Sequence, residues 1–278
     1  MSEIIHTTGI TGFIGRNLLP ALLEKYETVV NHKRLSSKSR YTLYTSNGKE
    51  DMDEDIYLSD LPGMNKSSTL LHLATLYNPK PKNEEEKAKI NEANYLFPKS
   101  IASGFKKVIS ISSYSQLLDK EYQNFYSETK TWFNEWCEPR VDDLVKVYLF
   151  DSFGSGDTRN KVVDAFIKSS IASENIQIPE TEININLTEV SEIVEGIINA
   201  IDLPGGDYSI KSENDISIES LAKKIIEIEP TKTQIIKSGS STNLLDKINT
   251  LPENIYKKVM NSNLNDQLKR RFYEIKAA

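Results

Sequence analysis

Residues 4–8, Ile-Ile-His-Thr-Thr, run without a spacer into Gly9-Ile10-Thr11-Gly12-Phe13-Ile14-Gly15. Beyond them Ile14, Leu18 and Leu22 recur at helical spacing. A glycine triplet is weak as a bare pattern, but here a strand precedes it and a helix follows it. Gly9 permits a sharp turn, Gly12 lets backbone approach a pyrophosphate, and Gly15 permits close packing of helix on strand. The helix N-terminus then offers unpaired N–H groups to phosphates. Thr11, Phe13 and Ile14 travel with the turn and join the three glycines as candidate cofactor contacts. The competing reading is a glycine-rich turn that holds no ligand.

The rest of the chain alternates short apolar runs with helical patterns, which predicts a parallel sheet covered by helices on both faces. Strands are expected at 3–7, 28–31, 41–44, 69–73, 107–111 and 144–149, and shorter ones at 183–187, 208–210 and 233–236. Helices are expected at 13–26 and 83–105, after Tyr122, Thr158, Glu189 and Ser217, and in the tail from 252 to 278. Ser217 is a candidate N-cap. No repeat or linker divides the 278 residues. A chain of this length can bury one large core with an appendage.

Composition removes several classes of function. A net charge of -6 argues against a dominant phosphate-binding surface, so no nucleic-acid partner is expected. Cys137 is the single cysteine, which excludes an intrachain disulfide. The acidic runs Glu84-Glu85-Glu86 and Asp51, Asp53, Glu54, Asp55 contain no His or Cys. The first suits a helix N-terminus and the second a solvated loop, so no metal site is expected. The N-terminal residues lack the pattern of an export signal, and no apolar stretch approaches the roughly 20 residues of a membrane helix. A cytoplasmic protein without a membrane partner is the expectation.

The end of the second strand bears on the cofactor. A site for NAD wants an acidic residue about 20 positions beyond the turn, bonding the ribose 2′-hydroxyl. Here Val29-Val30-Asn31-His32-Lys33-Arg34 contains no carboxylate. Lys33 and Arg34 suit a 2′-phosphate instead, so NADPH/NADP is favoured over NAD(H).

Two Tyr-x-x-x-Lys pairs occur, Tyr95 with Lys99 and Tyr126 with Lys130. Chance alone supplies about one in a chain this rich in both residues. The first has Pro98 inside the turn and precedes the strand at 107–111. The second follows that strand and its Ser112-Ser113-Tyr114-Ser115 end. Carboxyl ends of parallel strands line the ligand crevice, which puts a serine hydroxyl and then Tyr126 at its mouth. Tyr126 is therefore the candidate proton donor. A lysine ammonium one turn along the same helix face would lower the phenol's pKa. Ser113 is the candidate for holding a carbonyl oxygen as negative charge develops, with Ser112 and Ser115 as competitors.

This ordered set resembles the short-chain dehydrogenase/reductase superfamily in its extended, nucleotide-sugar-modifying branch (the NAD-dependent epimerase/dehydratase family). Leu71-His72-Leu73-Ala74-Thr75 resembles the segment after that branch's fourth strand, and Asn94 falls where the family has an asparagine. Leu149 to Asp157 resembles the strand and loop ending in "YGPGD". His72-Leu-Ala-Thr-x-Tyr77 and the stretch from Ala93 to Pro98 resemble one subgroup in particular, the CDP-abequose and paratose synthases. Asp151 stands where the family usually has Asn and Phe153 where it usually has Tyr. Leu187-Thr188-Glu189-Val190 replaces the usual "V-D-D-V", and the arginine common just before it is missing.

The resemblance implies a Rossmann-type, doubly wound α/β fold. Residues 1–155 would be mainly dinucleotide-binding, and 156–278 mainly a smaller substrate-binding region interleaved with that core. It implies catalysis by Ser113, Tyr126 and Lys130. It adds Leu73, Ala74, Thr75 and Asn94 to the cofactor contacts, with Lys130 holding the nicotinamide ribose. Tyr77, Ser113, Ser115, Asp151, Arg159 and Lys161 would meet the substrate, the last two at a diphosphate. The expected reaction is NADPH-dependent reduction of the C4 ketone of a nucleotide-linked deoxysugar, a CDP-sugar favoured, for surface-polysaccharide (O-antigen) biosynthesis. A homodimer is expected through the helices at 83–105 and after Tyr122. The alternatives are an epimerase with retained NAD and a non-catalytic NADP-sensing regulator.

Overall fold

The computed structural model describes residues 4–34, 37, 39–52, 68–255 and 263–278. In chain order its first half comprises β1 (Ile4–Thr8), α1 (Phe13–Lys25), β2 (Thr28–His32), β3 (Tyr41–Thr45), β4 (Gly48–Met52), β5 (Thr69–His72), α2 (Glu84–Asn91), α3 (Phe97–Ala102), β6 (Lys107–Ser113), α4 (Phe125–Cys137) and β7 (Asp143–Leu149). The second half comprises β8 (Asp151–Phe153), α5 (Val162–Ile171), β9 (Ile176–Ile178), β10 (Asn184–Ile185), β11 (Leu187–Glu189), α6 (Val190–Ala200), β12 (Gly206–Ile210), β13 (Ile216–Ser217), α7 (Ile218–Ile226), β14 (Ile235–Lys237), β15 (Glu253–Asn254) and α8 (Leu264–Ala277).

Nine strands form one sheet in the order β15-β12-β7-β6-β5-β1-β2-β3-β4. The pairs from β15 to β2 are parallel, whereas β2–β3 and β3–β4 are antiparallel. This corrects the expectation of parallel pairing at 41–44: a tight turn after Thr45 sends the chain back as β4. Asp51, expected in a loop, lies in β4, while Asp53, Glu54 and Asp55 lie outside the described residues. Strand order reverses between β1 and β5, and a doubly wound sheet opens its ligand crevice at such a reversal.

Central strands buried on both faces need apolar residues on both, and β1, β5 and β6 supply them. One face carries Ile5, Leu71 and Val147 against Leu18 and Leu22 of α1 and Ile193 and Ile197 of α6. The other carries Leu70 and Val108 against Phe97 and Ile101 of α3 and Phe133 of α4. A separate core, built from α5, α7, α8 and β9, gathers Ile167, Ile225, Leu268 and Phe272. The chain crosses to this second lobe after β8 and returns to the large sheet through α6, β12 and β15.

The tail, which the sequence left without a chemical role, ends in α8 and anchors the loop after β8. Its buried Arg271 donates to Asp164 and to the Asp157 carbonyl, at 2.7 Å for the latter. Glu274 accepts from the Ser155 hydroxyl and the Gly156 N–H. Between α2 and α3 the helix widens into a π-helical turn over Glu92–Leu96, and Pro98 follows at the start of α3. The wide turn frees a place for a residue without an N–H, so the proline does not break the helix.

Candidate active site

A cleft of about 1110 Å³ lies over the carboxyl ends of β1, β2, β5, β6 and β7. The structure brings all but one of the sequence-predicted site residues to its wall.

At one end sits the glycine turn. Gly9 has φ +73°, and a side chain there would put its Cβ 2.5 Å from the Ala74 nitrogen. At Gly15 a Cβ would fall 2.5 Å from the Ile10 Cα, so helix and turn touch backbone to backbone. No side chain caps α1 at Gly12, and its first turn carries no acidic residue. That end of the helix is open to an anion. Lys33 and Arg34 border the same end of the cleft, Arg34 exposed. Lys33 is already engaged: its ammonium donates to Ser39 at 2.6 Å and to Asp51 at 2.8 Å. The sequence around the two cations holds no carboxylate, and Asp51 reaches Lys33 across the β3–β4 hairpin. Arg34 is thus the less encumbered of the two.

At the middle of the cleft Ser113 ends β6, and Tyr126 and Lys130 lie one turn apart on α4. Asn124 starts that helix with a reciprocal cap, accepting from the Ser127 N–H at 3.1 Å. Tyr126 is buried at the cleft wall, with the hydroxyls of Thr75 and Ser113 near its phenol. Burial pushes the phenol up to about 12 against the opposing pull of those two hydroxyls. The expected lowering by Lys130 is not what governs the phenol here. The ammonium lies 6.0 Å from the centroid of the Tyr126 ring, and burial outweighs the groups that would lower the phenol. Lys130 is itself buried, which brings it down to about 8, and among the described residues its ammonium has no hydrogen-bond or ion-pair partner. A buried donor group left open towards the cleft fits a ligand with hydroxyl acceptors, as a cofactor ribose presents.

The competing serines separate cleanly. The Ser112 hydroxyl accepts from Asn134 at 3.0 Å, and Asn134 in turn accepts from Ser110 at 2.7 Å. Ser112 is therefore tied to α4. Ser113 and Ser115 share a hydrogen bond of 3.0 Å and both border the cleft. Tyr95 and Lys99 do pair, at 3.3 Å, but beside Trp132 and Trp136 and away from the cleft.

Asn94 is the exception among the predicted contacts. It is buried in the π-helical turn behind the wall, accepting from Thr75 at 3.1 Å and from the Leu76 N–H at 2.7 Å. Its amide donates to the Leu76 carbonyl and to Thr129. Asn94 thus shapes the loop that carries Thr75 and does not face the cleft. Asn134 and Thr129 went unnoticed in the sequence, yet Asn134 stands one further turn along the face of Tyr126 and Lys130.

At the far end stand Tyr77, Asp151, Arg159 and Lys161. The Tyr77 ring meets that of Tyr126 edge-on at 5.0 Å, and the Lys161 ammonium lies 4.2 Å from the Tyr77 centroid. Arg159, expected at a diphosphate, is held in place by its own loop. Nε and Nη2 donate to Asp157 at 2.8 and 2.6 Å, and Nη2 also donates to Ser152. Its guanidinium lies 4.3 Å from the Phe13 centroid, which links this loop to the glycine turn.

Among the described residues no helix is long and apolar enough to cross a membrane, and no cluster could hold a metal ion. The chain is 25% identical over 218 residues to a CDP-abequose synthase of Yersinia pseudotuberculosis, covering 72% of this chain and 74% of that protein. A UDP-glucuronic acid 4-epimerase of Bacillus cereus, solved with UDP-glucuronic acid and NAD, superposes over 99% of both chains (TM-score 0.74, 17% identity). RMD of Pseudomonas aeruginosa, solved with NADPH, does so over 99% of both at 14% identity (TM-score 0.71). At such identities the two structures show a shared fold. The profile of one family, described as "NAD dependent epimerase/dehydratase family", matches residues 5–208, and with that match over most of its length the chain belongs to this family of nucleotide-sugar-modifying enzymes.

Proposed function

We propose that the protein uses NADPH to reduce the C4 ketone of a nucleotide-linked deoxysugar of the CDP-4-keto-3,6-dideoxyhexose type. The observation that carries the reading is the meeting of Ser113, Tyr126 and the unpartnered Lys130 midway along a cleft. One end of that cleft is the open glycine turn with Arg34, and the other is lined by Tyr77, Asp151 and Lys161. The CDP base and the dideoxy sugar rest on the similarity to the CDP-abequose synthase. When bound, NADPH supplies a hydride to the carbonyl carbon.

Each residue then has a defined task. Ser113 donates a hydrogen bond to the carbonyl oxygen as it gains negative charge. Tyr126 delivers the proton to that oxygen, and a phenol held near 12 by burial is in its acid form at neutral pH. Lys130 holds the cofactor ribose with its free ammonium. Asn94 and Asn134 keep the Thr75 loop and the end of β6 in register with α4.

The test mixes enzyme, NADPH and a CDP-4-keto-6-deoxy or CDP-4-keto-3,6-dideoxy sugar, follows absorbance and identifies the product. NADPH loss matched by reduction at C4 supports the reading. Interconversion of sugars without NADPH loss selects an epimerase with retained NAD, which the engagement of Lys33 by Asp51 favours as the second reading. A homodimer forms part of the proposal. Leu96 and Trp132 stay exposed on the paired helices at 42% and 38%, apolar surface of the kind an isologous contact would cover. Light scattering at micromolar concentration should show twice the chain mass, and a monomeric mass refutes the assembly.

A further inference from the structure

Asp151 is the carboxyl that lines the substrate end of the cleft, and among the described residues no side chain pairs with it. Its backbone is fixed: the N–H donates to the Asn186 carbonyl at 3.0 Å, and β8 pairs with β11 from this residue onward. Its Oδ2 is buried and has no hydrogen-bond partner among the described residues. The two nearby cations do not form an ion pair with it. Arg159 is committed to Asp157, and Lys161 lies over the Tyr77 ring. Burial and then the Asp151 charge raise the Tyr77 phenol, and the Asp151 charge with burial raises that of Tyr114, so both rings remain neutral donors beside it.

A buried polar atom without a partner is costly, and at the wall of a cleft a ligand can satisfy the carboxyl that carries it. An ionised carboxylate only accepts hydrogen bonds. Whatever meets Asp151 must therefore donate, as a pyranose hydroxyl does. A second negative charge in the same enclosed space would be repelled by the Asp151 carboxylate.

We propose that Asp151 is a specificity-determining residue that accepts a hydrogen bond from a hydroxyl of the substrate's sugar ring and bars sugars that carry a carboxylate. The inference deepens the nucleotide-sugar reading and rests on it. It distinguishes this cleft from one that would take a uronic acid.

Calorimetry tests it without turnover. The glucose and glucuronate esters of UDP and of CDP are titrated into the wild-type protein and into Asp151→Asn at about pH 8. The wild type should bind the neutral ester of whichever base it accepts at least about tenfold more tightly than the glucuronate, a ratio that corresponds to about 1.4 kcal/mol. In Asp151→Asn the ratio should fall to about threefold or less. The ligand-free melting temperature of that variant should not drop, because the isosteric amide removes an unpaired charge. Equal affinity of the wild type for neutral and anionic esters overturns the charge filter while leaving the nucleotide-sugar reading intact. So does a variant that keeps the wild-type ratio. Failure of every ester to bind either protein overturns both.

Discussion

All three histidines of the chain are buried, and that makes the protein's stability a steep function of acid. His6 and His32 share a hydrogen bond of 3.1 Å beneath the cofactor end of the cleft, packed between Phe105 and Tyr41. Burial lowers His6 to about 4, and burial plus the neighbouring His6 lowers His32 to about 3. His72, bonded to Thr8 at 2.7 Å, is held well below its ordinary value by burial and by Lys130. A histidine whose folded pKa lies below its unfolded value of 6.5 contributes stability that is complete above 6.5. That contribution is lost as the pH falls towards the folded pKa, because the unfolded chain takes up protons that the native state refuses.

Between about pH 7.5 and 5, His6 and His32 each withdraw about 2 kcal/mol of stability, or about 4 together. His72 acts in the same direction. Against a typical total of about 5–15 kcal/mol this is a large share. Asp151 and Glu195, raised by burial, act in the opposite sense and offset part of it. Urea unfolding followed by circular dichroism across that range should move the midpoint down by about 1 M, given a slope of about 3 kcal/mol per molar for a chain of this size. His32→Asn should flatten the dependence whatever its starting stability, since one refused proton is gone. A midpoint that stays level or rises from about pH 7.5 to 5 refutes the assignment of neutral buried imidazoles.

Tyr126→Phe should remove most turnover and leave NADPH binding within about twofold by calorimetry, whereas Tyr95→Phe should turn over normally, since its hydroxyl pairs with Lys99 away from the cleft. Wild-type protein should bind NADP(H) more tightly than NAD(H). Arg34→Ala should weaken NADP(H) by about tenfold and NAD(H) little, and Lys33→Ala should do less because Asp51 already holds that cation; titrations showing equal affinity for the two cofactors in the wild type would defeat this assignment. Arg271→Ala should lower the unfolding free energy by about 3–5 kcal/mol, because it strands Asp164 in the second lobe without a counter-charge. A urea midpoint unchanged from the wild type would show that α8 does not hold the loop after β8.

The parts of this protein that were legible in its sequence are those in which one short stretch carries both the geometry and the chemistry. The glycine turn is such a stretch, since residues 9–15 contain the sharp bend, the close approach to Ala74 and the open helix end together. The choice of Tyr126 over Tyr95 needed only strand order, because a parallel sheet presents every carboxyl end to the same crevice. What stayed hidden depends on pairing at a distance. No pattern near Lys33 reveals Asp51, because eighteen residues and a hairpin separate them, and only the register of β3 with β4 brings them within 2.8 Å. The same holds for Arg159, whose freedom is decided by Asp157 and whose loop is held by Arg271 from the last helix. Asn134 is the intermediate case. Its position at the third step of the Tyr126–Lys130 face was visible, but a buried amide on a helix acquires meaning only when β6 sets Ser110 and Ser112 against it. Charge identity can thus be read along the chain, whereas charge availability depends on which partner reaches the group first. At Asp151 no described residue does, and that is why its carboxyl, rather than the two cations beside it, is the group proposed to choose the sugar.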